Sequence, residues 1–104
     1  IQFPISRAYV NIRAADLMRF QAAALCDAGQ EFGAEANMAK LLAADASFEA
    51  ANACIQTHGG FGFAAEYDVE RKFRETRLYQ VAPISTNLIL AYVGEHVLGM
   101  PRSY

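Results

Sequence analysis

The chain has 104 residues, of which 54% are hydrophobic and 19% charged, and its formal net charge is −2. This length predicts one domain and excludes a complete dinucleotide-binding domain together with a substrate domain. The charge balance leaves no excess of basic residues to neutralise phosphates, so nucleic acid is a poor candidate partner. The apolar runs are shorter than the roughly 20 residues that a membrane span needs.

Frequent alanines, with no sustained alternation of apolar and polar residues, predict an all-α fold. The first predicted helix runs from about Pro4 to Ala28, and Gly29 is its expected stop. The second runs from about Ala34 to Thr57, and Gly59 ends it. Apolar residues recur three or four apart along both helices: Ile5, Ala8, Tyr9, Ile12, Ala15, Ala22 and Leu25 in the first, and Met38, Leu41, Leu42, Phe48, Ala51 and Ile55 in the second.

The glycines that follow cannot continue a helix at reasonable cost, and the chain is expected to turn there. Asp68 is placed to cap a short helix from about Val69 to Arg77. Pro83 is excluded from a helix interior, and it precedes a last predicted helix from Leu88 to Leu98.

Ser85 or Thr86 offers a cap for that last helix. The short first connection predicts an up-and-down antiparallel bundle of three long helices and one short one. Three amphipathic helices cannot easily surround the alanine-rich second helix. We therefore expect an apolar face left for another helix or another subunit.

The segment from Gln56 to Gly62 joins a helix end to three glycines, whose backbone N–H groups a ligand can approach without interference from Cβ atoms. It does not match a phosphate-binding loop, which follows a strand and opens a helix. Spacing alone leaves open the alternative of a helix C-cap followed by a sharp turn.

The histidines and cysteines give weak signals. No activated nucleophile stands near His58, which is interpreted as a polar helix-end residue. His96 lies beside Glu95 without a second ligand at helical spacing, so no metal site is assigned. Cys26 and Cys54 are expected to be reduced, buried thiols of a cytoplasmic protein.

A run of mixed charge surrounds the short helix. Such a run is typical of a solvated face with ion pairs, and the alternative is that one of its arginines anchors a neighbouring subunit. The run comprises Glu66, Asp68, Glu70, Arg71, Lys72, Arg74, Glu75 and Arg77.

Three ordered segments resemble the C-terminal domain of acyl-CoA dehydrogenases. They read QTHGGFGF over residues 56–63, EYDVER over 66–71 and RETRLYQ over 74–80. Ala39-Lys40 and Gln2 also fit, so the resemblance spans nearly the whole chain. Asp68 stands where the family has Pro, and Glu75 where it has Asp.

The resemblance implies FAD as cofactor and an acyl-CoA as substrate, from which a carboxylate takes the α-proton while flavin N5 takes the β-hydride. Gln56, Gly59 and Gly60 would contact the FAD of a neighbouring subunit, and Gln2 would do likewise. Ser85 keeps a hydroxyl where the family has a Thr that contacts flavin. Assembly as a homodimer or homotetramer and an electron-transfer acceptor are implied as partners.

The catalytic base marks the largest departure from the family. Where many members have Glu, this chain has Pro83, and Ile84 replaces a Gly. Branched-chain and long-chain members carry the base on an earlier helix, which would precede Ile1. We therefore expect residues 1–104 to be a bundle that lacks its first helix, is part of a longer protein and has no catalytic residue of its own.

Two functional hypotheses follow. The first is the C-terminal domain of a flavin-dependent acyl-CoA dehydrogenase that oxidises the Cα–Cβ bond of an acyl-CoA thioester. The second is a related module that has lost catalysis and serves assembly or ligand binding, which Pro83 and Ile84 suggest.

Overall fold

The computed structural model describes residues 1–103, which form helices and turns without a strand. The all-α prediction is confirmed. No helix within these residues is long and apolar enough to cross a membrane. The α-helices are α1 (Gln2–Asp27), α2 (Gly33–His58), α3 (Val69–Leu78) and α4 (Thr86–Tyr92); 3₁₀ turns at Gly59–Phe63 and Ala65–Tyr67 join α2 to α3, and a π-helical turn at Val93–Val97 follows α4.

The two long helices, α1 and α2, pack against each other in antiparallel directions, as predicted. Asn11 in the first half of α1 donates a hydrogen bond of 2.6 Å to the carboxylate of Glu49 in the second half of α2. Small side chains let the two backbones approach closely, and every buried residue of both helices is an alanine. These are Ala8, Ala15 and Ala22 on α1, and Ala39, Ala44, Ala46 and Ala51 on α2.

The turn between the long helices confirms Gly29 as the predicted stop. Gly29 has a φ of 70°, which glycine adopts without steric cost. The Gln30 N–H donates to the Leu25 carbonyl, and the Gly29 N–H donates to the Cys26 carbonyl, both at 3.0 Å. This pair of bonds defines a Schellman motif, which satisfies the last carbonyls of α1.

Helix α2 is the centre of the bundle, because it contacts α1, α3 and α4. The rings of Phe48 on α2 and Phe73 on α3 lie 5.0 Å apart. On the other side, Ile89 of α4 is fully buried. Gly33 at the start of α2 lies against Tyr92 of α4, whose hydroxyl oxygen would be 3.1 Å from a Cβ at that position.

Much of the predicted apolar stripe of α1 remains exposed. Ile5, Tyr9 and Ile12 are 52%, 61% and 41% exposed, whereas only the alanines of the stripe are buried. The radius of gyration is 16.1 Å, compared with about 13 Å for a closely packed domain of 100 residues. The bundle is therefore open along one face of α1, which agrees with the expected uncovered surface.

The cysteine prediction is wrong in one respect. Cys26 and Cys54 are free thiols, but both are exposed rather than buried. Both lie on parts of the α1 and α2 surfaces that the other helices leave uncovered, since α3 and α4 pack against other parts of α2. Helical periodicity alone does not say which side of an alanine-rich helix is covered.

Two helix ends differ from the sequence interpretation. Asp68 occupies the N-cap position of α3, but it has a φ of 62° and makes no side-chain capping bond. Its carboxylate instead accepts a hydrogen bond from Arg71 at 3.3 Å. The last predicted helix begins at Thr86 and changes into the wider π-helical turn at Val93, where the Leu98 N–H reaches back five residues to the Val93 carbonyl.

Candidate functional site

The C-terminal end of α2 carries three of the residues that the resemblance assigns to the cofactor. The helix ends at His58 because Gly59 takes a φ of 60°. The Gln56 side chain is exposed on the last turn and borders a groove of about 350 Å³ together with Pro4 and Arg7 of α1. Gln2, two residues before Pro4, therefore lies at the same end of the helix pair as Gln56.

The glycines of this turn play different parts. A Cβ at Gly59 or Gly60 would meet no atom within 4 Å, so the backbone there faces open space. A Cβ at Gly62 would stand 2.9 Å from the carbonyl oxygen of Ile55. Gly62 is thus required for packing, whereas Gly59 and Gly60 leave their backbone accessible to a ligand.

His58 is a helix-end residue, as the sequence indicates. Its Nδ1 lies 2.9 Å from the Cys54 carbonyl oxygen, to which only a protonated Nδ1 can donate. The Cys54 thiol is 3.7 Å from the same nitrogen, so in this tautomer the imidazole is not a base for that thiol. Within residues 1–103, no three His, Cys, Asp or Glu side chains are grouped to hold a metal ion.

The segment from Tyr79 to Ser85, which we call the α3–α4 loop, is held against the middle of α2. Lys40 donates to the carbonyl oxygens of Tyr79 and Ile84, the second at 2.6 Å. Ser85 caps α4, because its hydroxyl oxygen accepts the Leu88 N–H at 3.2 Å. Of the two predicted caps, Ser85 and Thr86, the structure therefore shows Ser85 as the cap.

The five residues assigned to FAD lie in two places. Lys40, which contacts the residue before Ser85, is 16 positions before Gln56 on the same helix, or about 24 Å along its axis at 1.5 Å per residue. Gln2, Gln56, Gly59 and Gly60 share one end of the long helices, while Ser85 lies near their middle. One small ligand cannot contact both groups within a single chain.

The charge run forms the ion-paired face that the sequence indicates. Arg71 pairs with Glu75 at 2.8 Å and with Asp68 at 3.3 Å, and Arg74 pairs with Glu70 at 2.8 Å. The hydrogen bond from Arg71, reinforced by Lys72, lowers the pKa of the Glu75 carboxyl. The bond to Asp68, followed by that to Glu75, raises the pKa of Arg71.

Arg77 differs from the other arginines of the run. Its guanidinium carbon lies 5.9 Å from the centre of the Phe48 ring on α2, within the range of a cation–π contact. Arg77 therefore helps to pack α3 on α2. Whether an arginine of this face also anchors a neighbouring subunit stays a prediction.

Sequence reasoning missed two features. The first is an apolar groove of about 440 Å³ between α1 and α2, lined by residues that include Ile5, Tyr9 and Cys54. The second is the link from Lys40 to the α3–α4 loop. In the sequence, Lys40 is a lysine between apolar residues of an alanine-rich helix and fits the family pattern, but neither feature identifies the partners of its side chain.

The sequence of this chain is similar to known proteins of one family. The family model described as the acyl-CoA dehydrogenase C-terminal domain matches residues 1–98. The acyl-CoA dehydrogenase FadE12 of Mycobacterium tuberculosis is 42% identical over 103 residues, which are 97% of this chain and 26% of the relative.

Two further relatives match over 81 residues, which are 78% of this chain and 21% of each relative. They are the cyclohexane-1-carbonyl-CoA dehydrogenase of Geobacter metallireducens, at 40% identity, and the caffeyl-CoA reductase-Etf complex subunit CarC of Acetobacterium woodii, at 36%. The chain spans about a quarter of the length of these curated relatives. The family match agrees with the helical fold and with the glycine turn after α2. This chain therefore belongs to the acyl-CoA dehydrogenase family and corresponds to its C-terminal domain.

Proposed function

We propose that this chain is the C-terminal bundle of an FAD-dependent acyl-CoA dehydrogenase that oxidises the Cα–Cβ bond of an acyl-CoA thioester. The observation that carries the proposal is the turn after α2, where the family's residues from Gln56 to Gly62 stand and the backbone at Gly59 and Gly60 faces open space. The family match over residues 1–98 and relatives named as acyl-CoA dehydrogenases support it.

The residues of this turn fit a flavin nucleotide that approaches from outside the chain. The exposed Gln56 amide can donate and accept hydrogen bonds, and the backbone of Gly59 and Gly60 is free of side chains. Together with Gln2 they would form one contact surface toward the FAD of a neighbouring subunit. The chemistry that FAD supplies when bound is acceptance of the β-hydride.

Ser85 would contact a second FAD site, because it lies near Lys40, which is about 24 Å from Gln56 along the axis of α2. Its hydroxyl oxygen already accepts the Leu88 N–H, which leaves the hydroxyl proton to donate. One chain would thus contribute to two flavin sites in the assembly. This arrangement makes self-association as a homodimer or homotetramer part of the proposed function.

We assign no catalytic base within this chain. Pro83 has no group that accepts a proton, and it occupies the position at which many family members have Glu. The α-proton would go to a carboxylate elsewhere in the protein, and residues 1–104 alone would be inactive.

An electron-transfer acceptor is a further proposed partner, because one relative is named as a subunit of an Etf complex. A cytoplasmic location is proposed from the two free cysteines, which suit a reducing compartment.

The test is to purify the complete gene product that carries this sequence. Straight-chain, branched and alicyclic acyl-CoAs are then added under anaerobic conditions. The proposal is supported if the product contains bound flavin and at least one acyl-CoA, but not the corresponding free acid, reduces that flavin and removes its visible absorbance. A product without flavin, or with flavin that no acyl-CoA reduces, contradicts it.

Pro83 variants separate the two functional hypotheses. If the base lies elsewhere, Pro83→Ala keeps acyl-CoA-dependent flavin reduction. Pro83→Glu then adds a second carboxylate near the base, and the repulsion between the two like charges perturbs the pH profile more than the variant raises the rate. An inert product that Pro83→Glu alone activates would instead support a module that has lost catalysis.

A further inference from the structure

A single side chain of α2 reaches both ends of the α3–α4 loop. The Lys40 ammonium donates to the carbonyl oxygen of Tyr79, the residue that follows α3, and to that of Ile84, the residue that precedes the cap of α4. Lys40 is half-buried, and both acceptors are backbone atoms rather than carboxylates. The path of the loop is therefore tied to one position on α2.

The positions of these carbonyls explain why a cation suits them. Tyr79 is the C-cap of α3, where the last carbonyls of a helix have no partner within the helix. The C-terminal end of a helix carries partial negative charge, which a nearby ammonium offsets. Lys40 satisfies that helix end and also holds Ile84, the residue that precedes the cap of α4.

A second polar link holds the same loop five residues further along α2. Gln80 donates to the carboxylate of Asp45 at 2.9 Å. The carbonyl of Gln80 accepts the Thr86 N–H at 3.0 Å and closes the loop on itself.

Apolar burial does little to hold the loop. Its apolar side chains at Val81, Pro83 and Ile84 are exposed, so polar contacts determine its course. This loop carries Ser85 and the Pro83-Ile84 pair.

We infer that Lys40 is a positioning residue, which holds the α3–α4 loop so that Ser85 is in place to contact the flavin. This inference rests on the proposed function. Two of the three N–H donors of Lys40 are used by loop carbonyls, so this positioning role needs no contact between Lys40 and substrate. Its effect passes through the backbone of Ile84 to Ser85.

The chain offers a matched control, because its two lysines are Lys40 and Lys72. Lys72 is exposed on α3 and pairs with Glu75 across the helix surface at 3.3 Å. Lys40→Met, Lys40→Arg and Lys72→Met are made in the complete gene product. The measurements are flavin content, kcat and KM with the best acyl-CoA, and hydrogen exchange of the amides from Val81 to Leu88.

A displacement of reacting groups by about 1 Å costs on the order of 100-fold in rate, so we expect Lys40→Met to lower kcat about 10- to 100-fold. Its KM should change about threefold or less, and its flavin content should be unchanged. Exchange should accelerate at the amides of Thr86 and Leu88, whose hydrogen bonds to Gln80 and Ser85 depend on the course of the loop. Lys40→Arg, whose guanidinium also donates to two carbonyls, should restore most of kcat, and Lys72→Met should behave as wild type.

Several results would overturn the inference. One is Lys40→Met with wild-type kcat and exchange. Another is a loss of activity in Lys40→Met that is fully explained by a smaller amount of folded protein, with no recovery of activity in Lys40→Arg. If the wild-type product has no dehydrogenase activity, the proposed function fails by itself. Exchange in the loop then decides the role of Lys40: faster exchange in Lys40→Met supports it, and unchanged exchange refutes it.

Discussion

Gly62 packs directly on the last turns of α2, at Ile55. A Cβ at Gly62 would stand 2.9 Å from the Ile55 carbonyl oxygen and 3.3 Å from the Ile55 Cα. This contact folds the 3₁₀ turn back against its own helix. It also leaves Gly59 and Gly60 on the outer side of the turn, with no neighbouring atom in front of them.

Gly62→Ala should therefore destabilise the protein by about 1–3 kcal/mol, the usual cost of overpacking against atoms that cannot move aside. Urea denaturation followed by circular dichroism measures the difference. Gly60→Ala is the matched control, because a Cβ there meets no atom within 4 Å and φ is not positive. Equal stability of the two variants would contradict the packing role of Gly62.

Ser85→Ala should lower the free energy of unfolding by about 1 kcal/mol, because the Leu88 N–H loses its capping acceptor. Ser85→Asp supplies another acceptor at the helix start and should keep most of the stability. Ser6→Ala, an exposed serine within α1, controls for the loss of a hydroxyl. If Ser85→Asp is as unstable as Ser85→Ala, the hydroxyl does not act as a cap.

Arg71→Gln should raise the pKa of Glu75 toward its ordinary value, because the Arg71 hydrogen bond is the main cause of its depression. The carboxylate favours the folded state when ionised. Its contribution is thus fully present above the unfolded pKa and is lost as the pH falls through the lower folded pKa. A carboxyl-carbon NMR titration measures the shift. Arg19→Gln, which breaks the separate pair with Asp16, should leave the Glu75 titration unchanged.

Gln56→Ala should weaken FAD binding by the assembled gene product about two- to tenfold, the range expected for one lost hydrogen bond. Fluorescence titration of the apoprotein with FAD gives the Kd. Gln21→Ala changes an exposed glutamine on α1, 19 positions after Gln2, and should bind FAD as wild type does. Unchanged affinity in Gln56→Ala would remove Gln56 from the proposed contact surface.

The 104-residue chain should self-associate through the exposed apolar face of α1. Ile12→Asp places a charge in the apolar groove and should shift the chain toward monomer, whereas Ala23→Asp, at an exposed position outside that groove, should not. Sedimentation at about tens of micromolar, where ordinary interfaces form, measures the state. A wild-type chain that is monomeric throughout this range would contradict the prediction.

Local signals in the sequence located most of the helix ends. Gly29 and Gly59 stop the long helices because each takes a positive φ that other residues adopt only with strain, and this requirement acts within a few residues. The capping serine before α4 is equally local. The glycine turn and the motifs after it were enough to indicate the family, because they form one continuous stretch of the chain.

Only the tertiary structure decided what the helix faces contact. Exposed Cys54 and the link between Lys40 and Ile84 depend on how α3 and α4 lie on α2, over separations of tens of residues. The periodicity of a helix states which residues share a face, whereas contacts between distant segments determine whether that face is covered, and by what.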